Sequence, residues 1–123
     1  MDWTTFLPAL LTWSAIHFLG DFAFQSAWMA TMKVPDDPQK PRPQGDPGPN
    51  EVLLYHCLMY TATFVIAAKA FGVDADPLAF AVIFLAHMVV DWHKARKRYV
   101  KTVWLDQSLH ILTLVPLIAL GWL

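Results

Sequence analysis

Residues 78–92 read LAFAVIFLAHMVVDW, an apolar run that holds a histidine and an aspartate four positions apart. The pair Asp76-Pro77 precedes the run and is typical of a helix N-terminus, and Asn50 is a candidate cap for an earlier helix. Similar apolar stretches cover residues 4–32, 52–71 and 103–123. A transmembrane helix needs about 20 residues, which the 78–92 run reaches if it continues beyond Trp92. The sequence therefore predicts an all-α membrane protein, a bundle of four transmembrane helices.

Composition supports this prediction. The chain has 123 residues, enough for a single domain spanning 1–123, and it is 56% hydrophobic and 15% charged. Soluble domains carry about 25% charged residues, so the excess apolar surface is expected to face membrane lipids. The net charge of −1 gives no reason to expect a nucleic-acid partner. Because four helices enclose little volume, a homodimer is a further hypothesis.

The connections between the spans predict the orientation. Residues 33–50 form a proline-rich linker, which is expected to be extended and mobile. The basic residues concentrate in the first and third connections, which lie on the same side of a four-helix bundle. They are Lys33, Lys40 and Arg42 in the first, and Lys94, Arg96, Lys97, Arg98 and Lys101 in the third. Basic loops stay in the cytoplasm, so the sequence predicts an inner-membrane protein with both termini outside.

Each apolar segment also carries ionisable or amide side chains, which are costly in a bilayer and mark functional sites. The four sets are His17, Asp21 and Gln25; His56; His87, Asp91 and Lys94; and Asp106, Gln107 and His110. At a rise of about 1.5 Å per residue, helices of alternating direction bring these groups to a similar depth near the cytoplasmic side. We therefore expect one polar site there.

The motif His17-x-x-x-Asp21 is echoed by His87-x-x-x-Asp91. Each motif is followed by a helix with one further histidine, His56 or His110, and the two halves run in the same direction. This pattern suggests two parallel helical hairpins related by an axis along the membrane normal.

Imidazole and carboxylate groups are ligands of zinc, manganese or iron, so a divalent metal is the expected cofactor. The predicted metal ligands are His17, Asp21, His56, His87, Asp91 and His110. This set suffices for two metals, or for one metal whose ligands are oriented by the remaining carboxylates. Asp106 is the candidate general base, Lys94 the candidate contact to a phosphate, and Gln25 and Gln107 are candidates for orienting a substrate.

The same polar residues also suit three alternative roles, between which the sequence does not decide. Paired histidines across a bundle can ligate haem. Histidines and carboxylates can relay protons or ions through a transporter. Buried polar side chains can also serve only to hold helices together.

Taken together, these motifs resemble a family of small bacterial and phage inner-membrane proteins of unknown function. The shared pattern is His-x-x-x-Asp with Gln25, then His56, then a second His-x-x-x-Asp, then Asp106-Gln107-x-x-His110. The resemblance implies no established activity, although the pattern is also loosely similar to membrane-bound metal-dependent hydrolases. The leading hypothesis is a metal-dependent hydrolase of a lipid or lipid-linked substrate at the cytoplasmic leaflet. The alternative is a non-enzymatic membrane protein that carries a metal ion or protons, or acts on a partner.

Overall fold

The computed structural model describes residues 2–36 and 41–123, and its regular secondary structure in these ranges is entirely helical. The helices are α1 (Trp3–Phe18), which continues into a π-helical turn (Leu19–Ala23), α2 (Ala27–Met32), α3 (Pro49–Phe71), α4 (Pro77–Ala95) and α5 (Val103–Ala119). The predicted all-α fold is confirmed. Lys40, one of the basic residues used to predict orientation, lies outside the described residues.

Three helical segments are long and apolar enough to cross a membrane: α1 with its π turn, α3 and α4. The fourth segment, α5, is apolar but shorter, with 17 residues. The predicted continuation beyond Trp92 is confirmed, because α4 runs to Ala95. The chain is a membrane protein built on these helices.

The four long helices form a closed ring. Helix α3 packs against α4, α4 against α5, and α5 against α1, which also contacts α3. The half of the ring near the chain termini has an apolar core in which Trp13 stacks on Phe64 with ring centroids 5.8 Å apart. Ile83 and Leu114 are buried in the same core. Among the described residues, the buried ionisable ones lie in the opposite half of the bundle, whose end we call the basic end.

The predicted first span, residues 4–32, is not one helix. Phe24 N donates to Leu19 O at 3.0 Å, an i→i+5 bond that closes the π turn, and the helix then stops. A new helix, α2, begins after Ser26, whose hydroxyl accepts from Met29 N at 3.1 Å. The prediction of a single long helix was wrong. The helix ends after the π turn that carries Asp21 into the bundle, and the cap at Ser26 starts a second helix. Such π turns occur frequently at functional sites.

The helix starts correct one prediction and confirm another. Asp76 caps α4 by accepting from Leu78 N at 2.8 Å, with Pro77 in the first turn, as predicted. Asn50 does not cap α3, because Gly48 holds that position and Asn50 already lies inside the helix. The Asn50 side chain instead accepts a hydrogen bond from Arg96.

In its described parts up to Gly48, the linker has no helix or strand, in line with its prolines, and its last two residues already belong to α3. Arg42 nevertheless joins its two ends. The guanidinium donates to Asp36 Oδ1, Pro47 O and Met32 O, each at 2.8 Å. The linker is therefore fastened beside α2 at the basic end.

Candidate metal centre

The first group of candidate ligands lies between the π turn, α3 and α4. His56 Nε2 is 3.0 Å from His87 Nε2, 3.2 Å from Asp21 Oδ1 and 3.2 Å from Asp91 Oδ2. One ligand atom from each of the four residues lies within 4.8 Å of every other, and all four residues are buried. This first cluster is a set of nitrogen and oxygen atoms that could hold a metal ion.

The second group lies between the π turn and α5. It consists of Asp21, Asp106 and His110, which are also buried and also within 4.8 Å of one another. His110 Nε2 is 3.5 Å from Asp106 Oδ1, which lies one turn earlier on α5. This second cluster could hold a metal ion in the same way.

Two aspartates connect the clusters. Asp21 belongs to both. Asp91 directs one oxygen to each, because its Oδ2 is 3.2 Å from His56 Nε2 and its Oδ1 is 3.5 Å from His110 Nε2. A carboxylate with its oxygens turned to different ligand groups is the arrangement that can bridge two cations.

Two atoms of the second cluster are buried without a hydrogen-bond partner. They are His110 Nε2 and Asp106 Oδ1, two of the four such side-chain atoms found among the described residues. A buried polar atom without a partner costs about 1–3 kcal/mol. A cation held between them would satisfy both atoms.

His17, a predicted ligand, lies outside both clusters. Its Nδ1 is 2.8 Å from Tyr60 OH, and its Nε2 is 2.7 Å from Gln107 Oε1. The Gln107 amide in turn donates to Asp21 Oδ2 at 2.7 Å and to Asp106 Oδ2 at 3.1 Å. The structure therefore places His17 behind Gln107, as a support for two carboxylates.

The remaining predicted residues surround the clusters. The Gln25 amide nitrogen is 3.1 Å from His56 Nε2. Lys94 forms an ion pair with Asp106 Oδ2 at 3.0 Å. Lys33, used in the sequence analysis only for orientation, forms an ion pair with Asp91 Oδ2. The signal that could have identified Lys33 is its position directly after the first apolar segment, at the depth of the polar site.

Tyr60 is the other residue that sequence reasoning missed. It lies one turn after His56 on α3. Its ring stacks on the ring of His87 with centroids 3.7 Å apart, and its hydroxyl forms a hydrogen bond with His17 Nδ1. The rings of His87 and His110 also stack, with centroids 4.4 Å apart. This close contact leaves no room for a porphyrin between the two histidines, so the geometry disfavours haem.

A cavity of about 280 Å³ leads from the basic end to the clusters. Its walls include the three carboxylates and three lysines, namely Asp21, Asp91, Asp106, Lys33, Lys94 and Lys97. The histidines lie behind the carboxylates and do not line it. A small polar molecule in this cavity could therefore reach the carboxylates.

Comparison with known proteins shows the family. The family model described as "Protein of unknown function (DUF3307)" matches residues 7–122, and the chain belongs to this family. No curated protein and no solved structure matches the chain. The matched family carries no activity in its description, so the similarity to membrane-bound metal-dependent hydrolases stays a prediction.

Proposed function

We propose that this member of the DUF3307 family is a membrane hydrolase that uses two divalent metal ions. The observation that carries the proposal is the pair of shared carboxylates: Asp21 belongs to both clusters, and Asp91 turns one oxygen to each. Hydrolases with two metals use bridged ions about 3.5–4 Å apart to hold the attacking and the leaving oxygen.

The ligands divide between the two ions as follows. His56 and His87 would hold the first ion, His110 and Asp106 would hold the second, and the two shared aspartates would contribute to both. In this proposal Asp106 is a metal ligand and not the general base that the sequence suggested. The reason is that its Oδ1 has no hydrogen-bond partner and lies 3.5 Å from His110 Nε2. Mixed imidazole and carboxylate donors suit zinc, manganese or iron.

When bound, such a metal pair would lower the pKa of a water molecule toward neutrality and so activate it for attack. The residues around the ligands have supporting roles. Gln107 orients Asp21 and Asp106, and His17 fixes the direction of the Gln107 amide. Mutation of residues that support metal ligands in this way commonly lowers the metal affinity by about 10–100-fold. His17 is thus a positioning residue in this proposal.

The basic end is proposed to face the cytoplasm, with both termini on the opposite side of an inner membrane. The support is the concentration of lysine and arginine at this end. The substrate would then enter from the cytoplasmic leaflet, because the cavity opens among these residues.

A metal or proton carrier is the alternative function. It would need a polar path through the bundle. The described half of the bundle beyond the clusters is instead filled by Phe64, Ile83 and Leu114, all nearly inaccessible to solvent. This packing favours a site that is reached from one side, as in an enzyme.

The test is the metal content of the protein purified in mild detergent and reloaded with zinc, manganese or iron. We expect about two ions per chain. His110→Ala should leave about one, because it removes a ligand of the second cluster alone. His93→Ala is the matched control, since His93 lies on α4 outside both clusters. A visible absorption scan of the same sample would detect haem.

Turnover separates the two functions. The reloaded protein should hydrolyse p-nitrophenyl phosphate, and chelation of the metal should stop the reaction. Protein that binds no metal after reloading would overturn the metal centre. Protein that binds two ions, hydrolyses no ester and moves the ion across vesicles would establish the carrier instead.

A further inference from the structure

An apolar groove runs along the outside of the bundle between α1 and α5. Its volume is about 690 Å³, and nearly all of its lining is apolar. The principal lining residues are Phe18, Phe22, Val103, Ile111, Leu112 and Val115. One wall of the groove is formed by α1 and its π turn, which are long and apolar enough to cross a membrane, and the other by the shorter apolar helix α5. In a membrane, a lipid chain is the molecule available to fill such a groove.

The groove adjoins the polar cavity at the metal centre. Phe22, Val103 and Gln107 line both spaces. Gln107 also donates to Asp21 and Asp106. A single molecule could therefore place an apolar chain in the groove and a polar head beside the candidate ligands.

The charges around the polar cavity favour an anionic head. Lys33 and Lys94 pair with Asp91 and Asp106 at its wall, and Lys97 lines the same wall. The three carboxylates carry fewer negative charges than the positive charges of two divalent ions and three ammonium groups. A bound anion would neutralise part of the remaining positive charge. A phosphate group, which carries up to two negative charges, suits such lysines.

Lys97 adds a second observation. Its backbone has φ 49°, the only positive φ of a non-glycine residue in ranges 2–36 and 41–123. Such a conformation costs about 1–3 kcal/mol and is concentrated at functional sites. The turn that ends α4, in which Arg98 N donates to His93 O at 3.0 Å, therefore holds at the cavity a lysine in a conformation that glycine adopts more readily, although glycine would supply no charge.

We infer that the substrate is a membrane lipid with a terminal phosphate, whose chain lies in the groove and whose phosphate lies in the lysine-lined cavity. This inference rests on the proposed hydrolase function and names its substrate class. The cavity of about 280 Å³ limits the head to a small group, since sites for drug-sized ligands measure about 300–1,000 Å³.

The reaction is the hydrolysis of a phosphate monoester. The oxygen of water forms a bond to phosphorus, and the bond between phosphorus and the lipid oxygen breaks. The departing lipid oxygen takes a proton, the other proton of the water stays with phosphate or passes to solvent, and the products are a lipid alcohol and inorganic phosphate. No oxidant or reductant is needed.

Binding is measured first, by native mass spectrometry of the metal-loaded protein in detergent. The ligand is a phosphonate analogue of dioleoyl phosphatidic acid, in which a carbon replaces the cleaved ester oxygen. It should bind at least about tenfold more tightly than dioleoylglycerol, which lacks the phosphate, and than glycerol 3-phosphate, which lacks the chains. Equal binding of dioleoylglycerol would overturn the role of the lysines, and equal binding of glycerol 3-phosphate would overturn the role of the groove.

Two variants on α5 then test the groove. Ile111→Trp fills it and should lower hydrolysis of phosphatidic acid by about tenfold or more, with little effect on p-nitrophenyl phosphate. Leu105→Trp is the matched control, because Leu105 is exposed on the same helix and lies outside the groove. Equal loss on both substrates, or no loss with Ile111→Trp, would overturn the inference while the hydrolase stands.

The two proposals can fail separately. If the phosphonate lipid binds as expected and the metal-loaded protein cleaves no ester, the lipid site stands and the hydrolase fails. If p-nitrophenyl phosphate is cleaved and the phosphonate lipid does not bind, the hydrolase stands and the lipid site fails.

Discussion

The two His-x-x-x-Asp motifs are alike in sequence and differ in the structure. In the second motif, His87 and Asp91 lie on the regular helix α4 and both enter the first cluster. In the first, Asp21 enters both clusters, whereas His17 turns away to Tyr60 and Gln107. The difference shows that spacing places a side chain on a helix face, but the neighbours decide whether it is a ligand or a support.

The largest expected effect is a difference in metal content between variants of His87 and of His17. His87→Ala should lower the metal content by about one ion per chain, because it removes a ligand of the first cluster. His17→Ala should keep both ions and weaken their binding by about 10–100-fold, since its effect passes through Gln107. Titration with zinc, followed by elemental analysis, measures both. Equal losses of metal from the two variants would contradict the assignment of His87 as a ligand and of His17 as a supporting residue.

The next effect concerns Gln107, which connects the first motif to α5. Gln107→Leu removes the amide that donates to Asp21 and Asp106. We expect the affinity of the second cluster to fall most, by about tenfold or more, because both Asp21 and Asp106 lose a donor, and the affinity of the first cluster to fall less, because it shares only Asp21. Gln25→Leu is the matched control, because Gln25 contacts His56 of the first cluster instead. Titration of both variants with the same metal should show opposite preferences, and identical titrations would contradict the assignment.

A smaller effect is expected at the third position after each histidine, Gly20 in the first motif and Val90 in the second. A Cβ at Gly20 would lie 3.0 Å from Tyr60 Cδ2 and 3.4 Å from Thr63 Oγ1. Gly20→Ala should therefore destabilise the bundle by about 1–3 kcal/mol. The thermal unfolding midpoint in detergent measures this, with Val90→Ala as the comparison. An unchanged midpoint for Gly20→Ala would mean that the π turn and α3 are not held this closely.

The smallest effect concerns the break after the first motif, which has no counterpart in α4. Ser26→Ala removes the cap of α2 and should cost about 0.5–2 kcal/mol. Ser26→Asp should retain the stability, because aspartate caps equally well. Hydrogen exchange at Met29 N measures the loss of this cap directly. Equal protection in Ser26→Ala and the unaltered protein would show that the π turn alone determines where α2 begins.

The sequence was a good guide to the fold and to the composition of the site. Long apolar runs predicted the helices, and Asp76-Pro77 predicted the start of α4, because these signals are local. The shared depth of His56, His87 and Asp91 followed from the rise of a helix alone. The break within residues 4–32 was missed. Ser26 is a local cap signal inside an apolar stretch, whereas the π turn brings Asp21 to His56 across the bundle, which no local pattern encodes.

The sequence by itself determined that the chain is a helical membrane protein and which polar side chains its helices carry. An apolar run must be helical in a bilayer, since its backbone polar groups have no other partners there, and the histidines and carboxylates on it are fixed by order and spacing. Only the tertiary structure decided which of them meet. The contacts across the ring put Asp21 into both clusters, placed His17 behind Gln107 and brought Lys33 to Asp91. Such pairings depend on helix rotation and on distances between segments far apart in the chain, which no local pattern encodes.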